Sequence, residues 1–229
     1  MHRRSLLAGL AAAPLVARTA NAAPAPVLVE LFTSQGCNSC PRADAALARL
    51  AGRPDVLPLA FHVTYWDRLG WKDTLGDERF DRRQRWYGSL LGTGAYTPQA
   101  VVAGELDLVG SDPRLGEAVT LVAERRMPMA IAVGADGVAA LPEVEASAPL
   151  RLTALAYDPH HKVAIGRGEN AGREIDYVNA VRALADLGSW DGAPRQVSLG
   201  AVVAGGRGLV LVAQDPATGR IAALGHRGA

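Results

Sequence analysis

The sequence predicts an α/β fold in its first half and a mainly β region in its second half. A strand-length apolar run at Val27–Phe32 precedes a helical pattern at Asp44–Leu50, and a second apolar run follows at Val56–Val63. After about Arg126 the pattern changes to short β-rich runs separated by turn sequences. We therefore expect an α/β domain followed, over residues 127–229, by a small β-sandwich or an added antiparallel sheet.

Residues 1–22 have the features of an export signal. Two arginines, Arg3 and Arg4, precede the apolar stretch Ser5–Val16, and small residues (Ala-Asn-Ala) follow at positions 20–22. The arginine pair resembles a twin-arginine signal, although an ordinary secretory signal with two arginines has the same features. We expect the protein to be periplasmic or secreted, exported by the twin-arginine route.

Charge and hydropathy exclude two classes of partner. The chain has 24 basic and 23 acidic residues, with a formal net charge of +1, so we expect no nucleic acid partner. The apolar stretch of the signal is too short to span a bilayer, and no later segment is apolar over the length of a membrane helix, so we expect no membrane span. The α/β domain is then expected over residues 23–126.

The sequence has two cysteines, Cys37 and Cys40, between the first strand and the first helix. A bridge across such a short loop constrains the unfolded chain little, so stability alone does not account for the pair. Helix-terminal N–H groups and the positive end of the helix dipole favour a thiolate at Cys37 and lower its pKa. We therefore expect Cys37 to be the exposed, attacking sulfur and Cys40, one turn into the helix, to be the shielded, resolving sulfur.

An insertion is expected at residues 64–95, after the second strand. It begins with interleaved aromatic and charged residues, among them Tyr65, Trp66 and Trp71, and continues with an amphipathic helix pattern at Asp77–Leu91. Because the ligand crevices of α/β sheets lie at strand ends, we expect the insertion to cap the cysteine pair and these aromatic residues to bind substrate. The alternative is that the tryptophans pack the insertion onto the sheet.

Two polar residues interrupt the apolar strands. Glu30 lies within the first strand, where a lone acid must be solvated, paired or functional. His62 lies at the end of the second strand, where it is a candidate to bind substrate, to tune the Cys37 thiolate or to ligate a metal. The alternative is a structural histidine with satisfied hydrogen bonds.

The order of strand, C-x-x-C-P and helix resembles the thioredoxin superfamily, and Thr97-Pro98 before an apolar run resembles its cis-proline loop. The resemblance implies that Pro98 is a cis-proline packed against the cysteine pair and that the Thr97 backbone pairs with an incoming peptide strand. It also implies that Glu30 relays a proton to Cys40. The spacing from Glu30 to Cys37 is one residue longer than in thioredoxins, so the pleat can direct this carboxylate elsewhere.

A closer resemblance is to a bacterial family of secreted, thioredoxin-like proteins classed as a domain of unknown function. Four segments carry it: VELFTSQGCNSCPRAD, FHVTYWDRLGWKD, YTPQAVVAGE and IGRGENAGREIDYVNAVRAL. Together they sample about residues 29–184, which is most of the expected mature chain. The resemblance implies a thioredoxin-like fold and a redox-type motif, and it implies no particular substrate.

The second half is expected to contain several strands and one helix. Six runs have strand composition: Met129–Val133, Leu150–Tyr157, Lys162–Ile165, Val197–Ala204, Gly208–Val212 and Arg220–Leu224. A helix is expected at about Ile175–Leu187, capped by the glycine-rich segment 166–173, whose spacing fits no nucleotide-binding motif. Arg167, Glu169 or Arg173 of that segment could contribute to a ligand surface that faces the first domain.

Three functions fit these observations. The leading one is a periplasmic thiol–disulfide oxidoreductase that acts on protein or small thiol substrates or with a redox partner. Its redox-active group would be the Cys37–Cys40 disulfide, with no organic cofactor and no metal. A second is soft-metal handling, in which the two thiolates bind Cu(I) with His62 close by. A third is a redox-inert, thioredoxin-like binding protein. The sequence specifies neither the substrate nor the oligomeric state.

Overall fold

The computed structural model describes residues 25–125, 128–144 and 147–228. The export signal predicted at residues 1–22 lies outside these residues. The protein is a mixed α/β structure in which a large sheet is accompanied by few helices. Within the described ranges, no helix has the length and apolar character needed to cross a membrane.

The first half alternates strands and helices in the predicted order. Its elements are β1 (Val27–Thr33), α1 (Cys40–Leu50), β2 (Val56–His62), a 3-10 turn (Asp67–Leu69), α2 (Glu78–Leu91), β3 (Gln99–Val102), β4 (Leu106–Val109) and α3 (Leu115–Arg125). β1 is parallel to β2 on one side and antiparallel to β3 on the other, and β4 pairs antiparallel with β3. α1 begins earlier than its apolar periodicity indicates because Pro41 fits in the first turn of a helix.

The alternation of side chains along β1 decides what each face of the sheet contacts. Leu31 and the neighbouring odd-numbered valines pack against α1 and α3, whereas Leu28 and Phe32 pack against α2. Glu30 shares the face of Leu28 and Phe32, so its carboxylate is directed towards α2. Thr33 shares the face of Leu31, so its hydroxyl is directed towards α1.

α2 is the helix predicted at residues 77–91, and both of its ends follow from the sequence. The Asp77 side chain caps the N-terminus by accepting a hydrogen bond of 2.8 Å from the Arg79 N–H. Gly92, at φ +68°, ends the helix in the left-handed region that favours glycine. Phe80 packs edge-on against Phe61 of β2, with ring centroids 5.3 Å apart, and this fixes the helix on the sheet.

The strands of the second half continue the same sheet. They are β5 (Met129–Val133), β6 (Val138–Leu141), β7 (Leu150–Ala164), β8 (Glu174–Trp190), β9 (Arg195–Ser198), β10 (Gly208–Gln214) and β11 (Ile221–Arg227), with a four-residue helix, α4 (Gly200–Val203). The sheet order is β4-β3-β1-β2-β8-β7-β10-β11-β5-β6-β9. β8 joins the two halves because Ala180 pairs in parallel with Ala60 of β2, while β8 also pairs antiparallel with β7 along nearly its whole length.

The helix predicted at about Ile175–Leu187 is wrong, because these residues form most of β8. The run has apolar residues at helical spacing, but its backbone pairs along nearly its whole length with the 15-residue β7. Such pairing outweighs intrinsic helix preferences of a few tenths of a kcal/mol per residue. The glycine-rich segment 166–173 is therefore the loop of the β7–β8 hairpin and not a helix cap. The strand predicted at Val197–Ala204 divides into the end of β9 and α4.

Candidate functional site

The two cysteines form a disulfide between the end of β1 and the start of α1. Their Cα atoms are 5.4 Å apart. Ser39 is the N-cap of α1 and Cys40 is its first residue, with Pro41 in the first turn. The Sγ atom of Cys37 lies 3.3 Å from the Ser39 hydroxyl. A helix N-terminus stabilises a nearby sulfur as a thiolate. Opening this bridge would therefore release a stabilised thiolate, which is a favourable leaving group.

Cys37 is buried, which corrects the expectation of an exposed attacking sulfur. Both cysteines have a relative exposure of 0%, although the two residues between them are exposed. The hairpin loop 166–173 lies over this part of the chain. The Asn170 Nδ2 group donates hydrogen bonds to the carbonyl oxygens of Gln35 (3.0 Å) and Cys37 (2.8 Å). A loop far along the chain therefore helps to shield the pair from solvent.

The residues before Cys37 are held by the first part of the predicted insertion. Asp73 Oδ2 accepts a hydrogen bond of 2.8 Å from the Gln35 N–H, and Trp71 Nε1 donates one of 2.8 Å to Gln35 Oε1. Trp66 packs on Gly36 so closely that a Cβ there would lie 3.1 Å from the Trp66 Cβ. Both tryptophans are half-buried. They pack against residues 35–40, here called the cysteine loop, while part of each side chain faces solvent.

The Thr97–Pro98 peptide bond is cis, as the resemblance implies. Extending the β1–β3 register by one pair places Pro98 opposite Thr33, at the end of β1 that leads to the cysteines. The Thr97 hydroxyl accepts a hydrogen bond of 2.7 Å from Trp66 Nε1. Tyr65 is half-buried beside Trp66, with ring centroids 6.5 Å apart. The structure thus brings this predicted loop to the same end of the sheet as the disulfide.

A buried acid of α1 lies one helical turn from Cys40. Asp44 follows Cys40 by four residues, so the two side chains lie on one face of α1 and are neighbours along it. Asp44 Oδ1 accepts a hydrogen bond of 2.8 Å from the Thr33 hydroxyl, at the end of β1. Asp44 Oδ2 is buried and has no hydrogen-bond partner among the described residues.

His62 belongs to the same buried group of polar side chains. Its Nδ1 lies 2.9 Å from Asp73 Oδ2, and the Tyr177 ring meets it edge-on with centroids 4.6 Å apart. Within the described ranges, neither His62 Nε2 nor the Tyr177 hydroxyl has a hydrogen-bond partner. His62 has a relative exposure of 0%, and this corrects the expectation that it contacts substrate. It is instead a buried side chain that contacts Asp73 and the Tyr177 ring.

The two acids of this group have opposite protonation tendencies. Burial raises the pKa of Asp44 to about 7, against the smaller lowering effects of the His62 charge and the Thr33 hydroxyl. Burial alone would also raise the pKa of Asp73, but His62 and two backbone N–H groups hold it below its ordinary value. Asp73 is therefore ionised at neutral pH, while Asp44 exchanges its proton there.

Glu30 lies on the other face of the sheet from this group. It forms a buried ion pair with Arg83 of α2 and accepts a hydrogen bond of 2.6 Å from the Tyr87 hydroxyl. Gln214 of β10 completes the network through a 2.7 Å bond to Tyr87. Because side chains alternate along β1, Glu30 is directed away from α1, so the proton-relay role implied for it is wrong. Burial alone would lower the pKa of Arg83, but Glu30 raises it above its ordinary value.

The donor set for a metal is small. In the described part of the chain, no group of three or more His, Cys, Asp or Glu residues is arranged to hold a metal ion. His62 Nδ1 is engaged by Asp73, so a soft ion would depend on the two sulfurs of the reduced pair.

Sequence reasoning missed three residues that contact or adjoin the cysteine loop. Asp44 could have been found from the sequence, because it is the one acid in α1 and its position falls on the apolar face of the helix, between the buried residues Ala43 and Leu47. No local pattern predicts the roles of Asp73 and Asn170. Asp73 binds Gln35, 38 positions away in the chain, and Asn170 binds Cys37, 133 positions away.

Comparison with known proteins identifies similar structures and one sequence family. A crystal structure of a protein from Agrobacterium tumefaciens is 29% identical in sequence, with a TM-score of 0.71, and the match covers 90% of this chain and 94% of that chain. HBP35 of Porphyromonas gingivalis is similar in fold at 15% identity, with a TM-score of 0.56, covering 89% of this chain and 75% of that chain. No curated protein matches. The family described as "Protein of unknown function (DUF1223)" matches residues 28–214.

Proposed function

The chain belongs to the DUF1223 family of proteins of unknown function, and we propose that it is a thiol–disulfide oxidoreductase. One observation carries the proposal: the Cys37–Cys40 disulfide lies at the N-terminus of α1, at the same end of the sheet as the cis Thr97–Pro98 bond. A bridge in this position can open to a thiolate that the helix stabilises. A purely structural staple across so short a loop would add little stability.

A thioredoxin-like fold for residues 23–126 is part of the proposal. The strand order β4-β3-β1-β2, with α1 and α3 on one face and α2 on the other, supports it. In this interpretation the strands after α3 are an extension that widens the sheet. The β7–β8 hairpin of that extension returns to the cysteine loop and adds residues to the site.

The proposed reaction is an exchange of two electrons between dithiols. A substrate thiolate attacks the Sγ of Cys37, the bond to Cys40 breaks, and Cys40 leaves as a thiolate. The second substrate thiolate then attacks the substrate sulfur of the mixed disulfide and releases Cys37. The substrate is oxidised, the cysteine pair is reduced, and the two thiol protons of the substrate balance the two new thiols of the protein. The same steps in reverse reduce a substrate disulfide.

Asp44 is the residue that we assign to the proton transfer in this reaction. Its carboxyl group lies one helical turn from Cys40, and its pKa of about 7 lets it give or take a proton near neutral pH. This is the role that the resemblance implied for Glu30. The partly exposed Tyr65 and Trp66, together with the Thr97 backbone, are the proposed contacts for a peptide substrate.

The reduction potential of the cysteine pair tests the proposed function. We expect a value between about −120 and −270 mV when the mature, metal-free protein is equilibrated with glutathione buffers. We also expect the oxidised protein to exchange with a peptide dithiol, and the Cys37→Ser variant to be inactive. A potential well below about −300 mV, together with no exchange, would contradict the proposal.

A redox-inert binding protein is the second candidate, and the burial of both cysteines favours it. A buried bridge is sheltered from the nucleophiles that an oxidoreductase must meet. The potential and exchange measurements separate the two functions directly, because an inert bridge gives no turnover.

The periplasm is the proposed location, since disulfides form and persist there. Replacing Arg3 and Arg4 with lysines is expected to retain the precursor in the cytoplasm if the twin-arginine route is used. Cell fractionation followed by detection of the processed chain measures this. Unchanged export would indicate an ordinary secretory signal.

A further inference from the structure

We infer that Asn170 holds the hairpin loop 166–173, here called the cover loop, across the cysteine pair and so determines which molecules reach Cys37. The inference deepens the proposed function and rests on it, because controlled access matters only for a reactive disulfide. It follows from the burial of Cys37, the backbone hydrogen bonds of the cover loop and the contacts of the Asn170 side chain.

The cover loop is closed by its own backbone hydrogen bonds. The Ile165 N–H donates to the Arg173 carbonyl, and the Gly172 N–H donates to the Ile165 carbonyl, each over 2.8 Å. Gly168 and Gly172 adopt φ values of +80° and +79°, which favour glycine. The loop can therefore move as one preformed unit on the end of the β7–β8 hairpin.

Asn170 is the residue of the cover loop that is directed inwards. Its relative exposure is 0%, whereas every other residue of the loop is exposed. Its Nδ2 group donates to the carbonyl oxygens of Gln35 and Cys37, over 3.0 and 2.8 Å, so both amide hydrogens are used. These bonds fasten the loop to the residues that carry the predicted attacking sulfur.

The remaining contacts of the cover loop are weaker or peripheral. Glu169 accepts a hydrogen bond of 3.3 Å from the exposed Asn38 N–H. Gly166 and Gly168 pack on Trp71, where an added Cβ would lie 3.1 and 3.4 Å from the indole side chain. Trp71 provides a surface on which the loop rests, while Asn170 provides its buried hydrogen bonds to the cysteine loop.

Access to Cys37 therefore requires the cover loop to move. A nucleophile must approach the sulfur along the axis of the S–S bond, and a sulfur with 0% exposure offers no such approach. Opening the loop exposes the two carbonyl oxygens that Asn170 satisfies, and water can then solvate them. A bulky protein substrate needs a wider opening than a small reductant, so the cover loop selects by size.

The rate at which the oxidised protein is reduced tests the inference. Wild type and Asn170→Ala are compared with two reductants: a small water-soluble phosphine and a reduced protein dithiol of about 100 residues. We expect the variant to react about tenfold faster or more, with the larger gain for the protein reductant. A factor of ten corresponds to about 1.4 kcal/mol, the order expected for two lost neutral hydrogen bonds.

Asn179→Ala is the matched control, because Asn179 also donates its Nδ2 group to a buried-strand carbonyl, that of Pro58, over 2.8 Å. It lies on β8 away from the cysteine loop, so its reduction rates are expected to remain within about twofold of wild type. Glu169→Gln, which removes only the charge at the edge of the loop, provides a second variant if Asn170→Ala folds poorly, and a gain of about twofold to threefold is expected. Thermal unfolding of each variant confirms the fold.

Each outcome separates the inference from the proposed function. Rates for Asn170→Ala equal to those of wild type with both reductants would overturn the inference, whatever the turnover. A gain that is equal for both reductants would overturn selection by size. If Asn170→Ala is reduced faster but neither protein exchanges disulfides with a peptide dithiol, the result would support control of access by the cover loop. It would contradict the proposed oxidoreductase function.

Discussion

Replacing Asp44 with asparagine is expected to change how the stability of the protein depends on pH. The side chain is buried between α1 and the end of β1, and burial raises its pKa to about 7. Asparagine has nearly the same shape, and its Oδ1 can still accept the hydrogen bond from the Thr33 hydroxyl. The substitution therefore removes the titration with little change in packing.

The magnitude follows from the difference between folded and unfolded pKa values. The ordinary value for the Asp44 carboxyl is 3.8, so between about pH 4 and pH 7 the folded protein holds a proton that the unfolded chain has released. The stability that this proton contributes is lost as the pH rises through 7. Between pH 5 and pH 8 the loss is roughly 2–3 kcal/mol. Asp44→Asn lacks this titration. From pH 5 to pH 8 the unfolding free energy of the variant, taken relative to that of wild type at the same pH, is therefore expected to rise by that amount.

Urea unfolding of the oxidised, mature protein at pH 5, 6, 7 and 8, followed by circular dichroism, measures this difference. Asp112→Asn is the control, because Asp112 is a half-buried acid whose pKa is lowered by hydrogen bonds from Arg114 to about 2, below the range tested. The difference in unfolding free energy between Asp112→Asn and wild type is expected to be the same at all four pH values. A constant difference for Asp44→Asn as well, within about 0.5 kcal/mol, would refute the assignment of a raised pKa to this buried acid.

Three further predictions concern the framework of the fold. Arg83→Leu leaves the Glu30 carboxylate buried without its partner and is expected to cost about 3–5 kcal/mol in urea unfolding, part of which Glu30→Gln in the same chain restores. Replacing Cys37 and Cys40 together with serine is expected to lower the unfolding free energy by at most about 2 kcal/mol, since the closed loop is short. Gly104→Ala places a Cβ on a facing carbonyl oxygen at φ +77°, so calorimetry is expected to show a loss of about 2 kcal/mol or more.

Much of the first half could be predicted from local patterns. The apolar run of β1, the helical pattern after the cysteines and the Thr-Pro step before β3 each depend on residues close together in the chain. The face that each β1 side chain occupies was also present in the sequence, because alternation alone places Glu30 with Leu28 and Phe32. The proton-relay role of Glu30 came from the resemblance to thioredoxins and was wrong; the spacing to Cys37, one residue longer than theirs, already allowed the carboxylate to face elsewhere.

The second half shows where local patterns are insufficient. The run at Ile175–Leu187 has helical spacing, yet it forms β8 because β7 on one side and β2 on the other satisfy its backbone. Whether such a run forms a helix or a strand depends on partners that are distant in sequence. The same pairing turns the segment 166–173 from a helix cap into a hairpin loop and carries it to the cysteine loop.

The sequence by itself determined where the disulfide lies, because a C-x-x-C pair between a strand and a helix is a local arrangement whose chemistry depends on the helix terminus. Only the tertiary structure decided how accessible and how acidic the site is. The burial of Cys37, the carbonyl oxygens bound by Asn170 and the raised pKa of Asp44 all depend on contacts between distant segments. Desolvation is a property of everything packed around a group, so no local pattern specifies it.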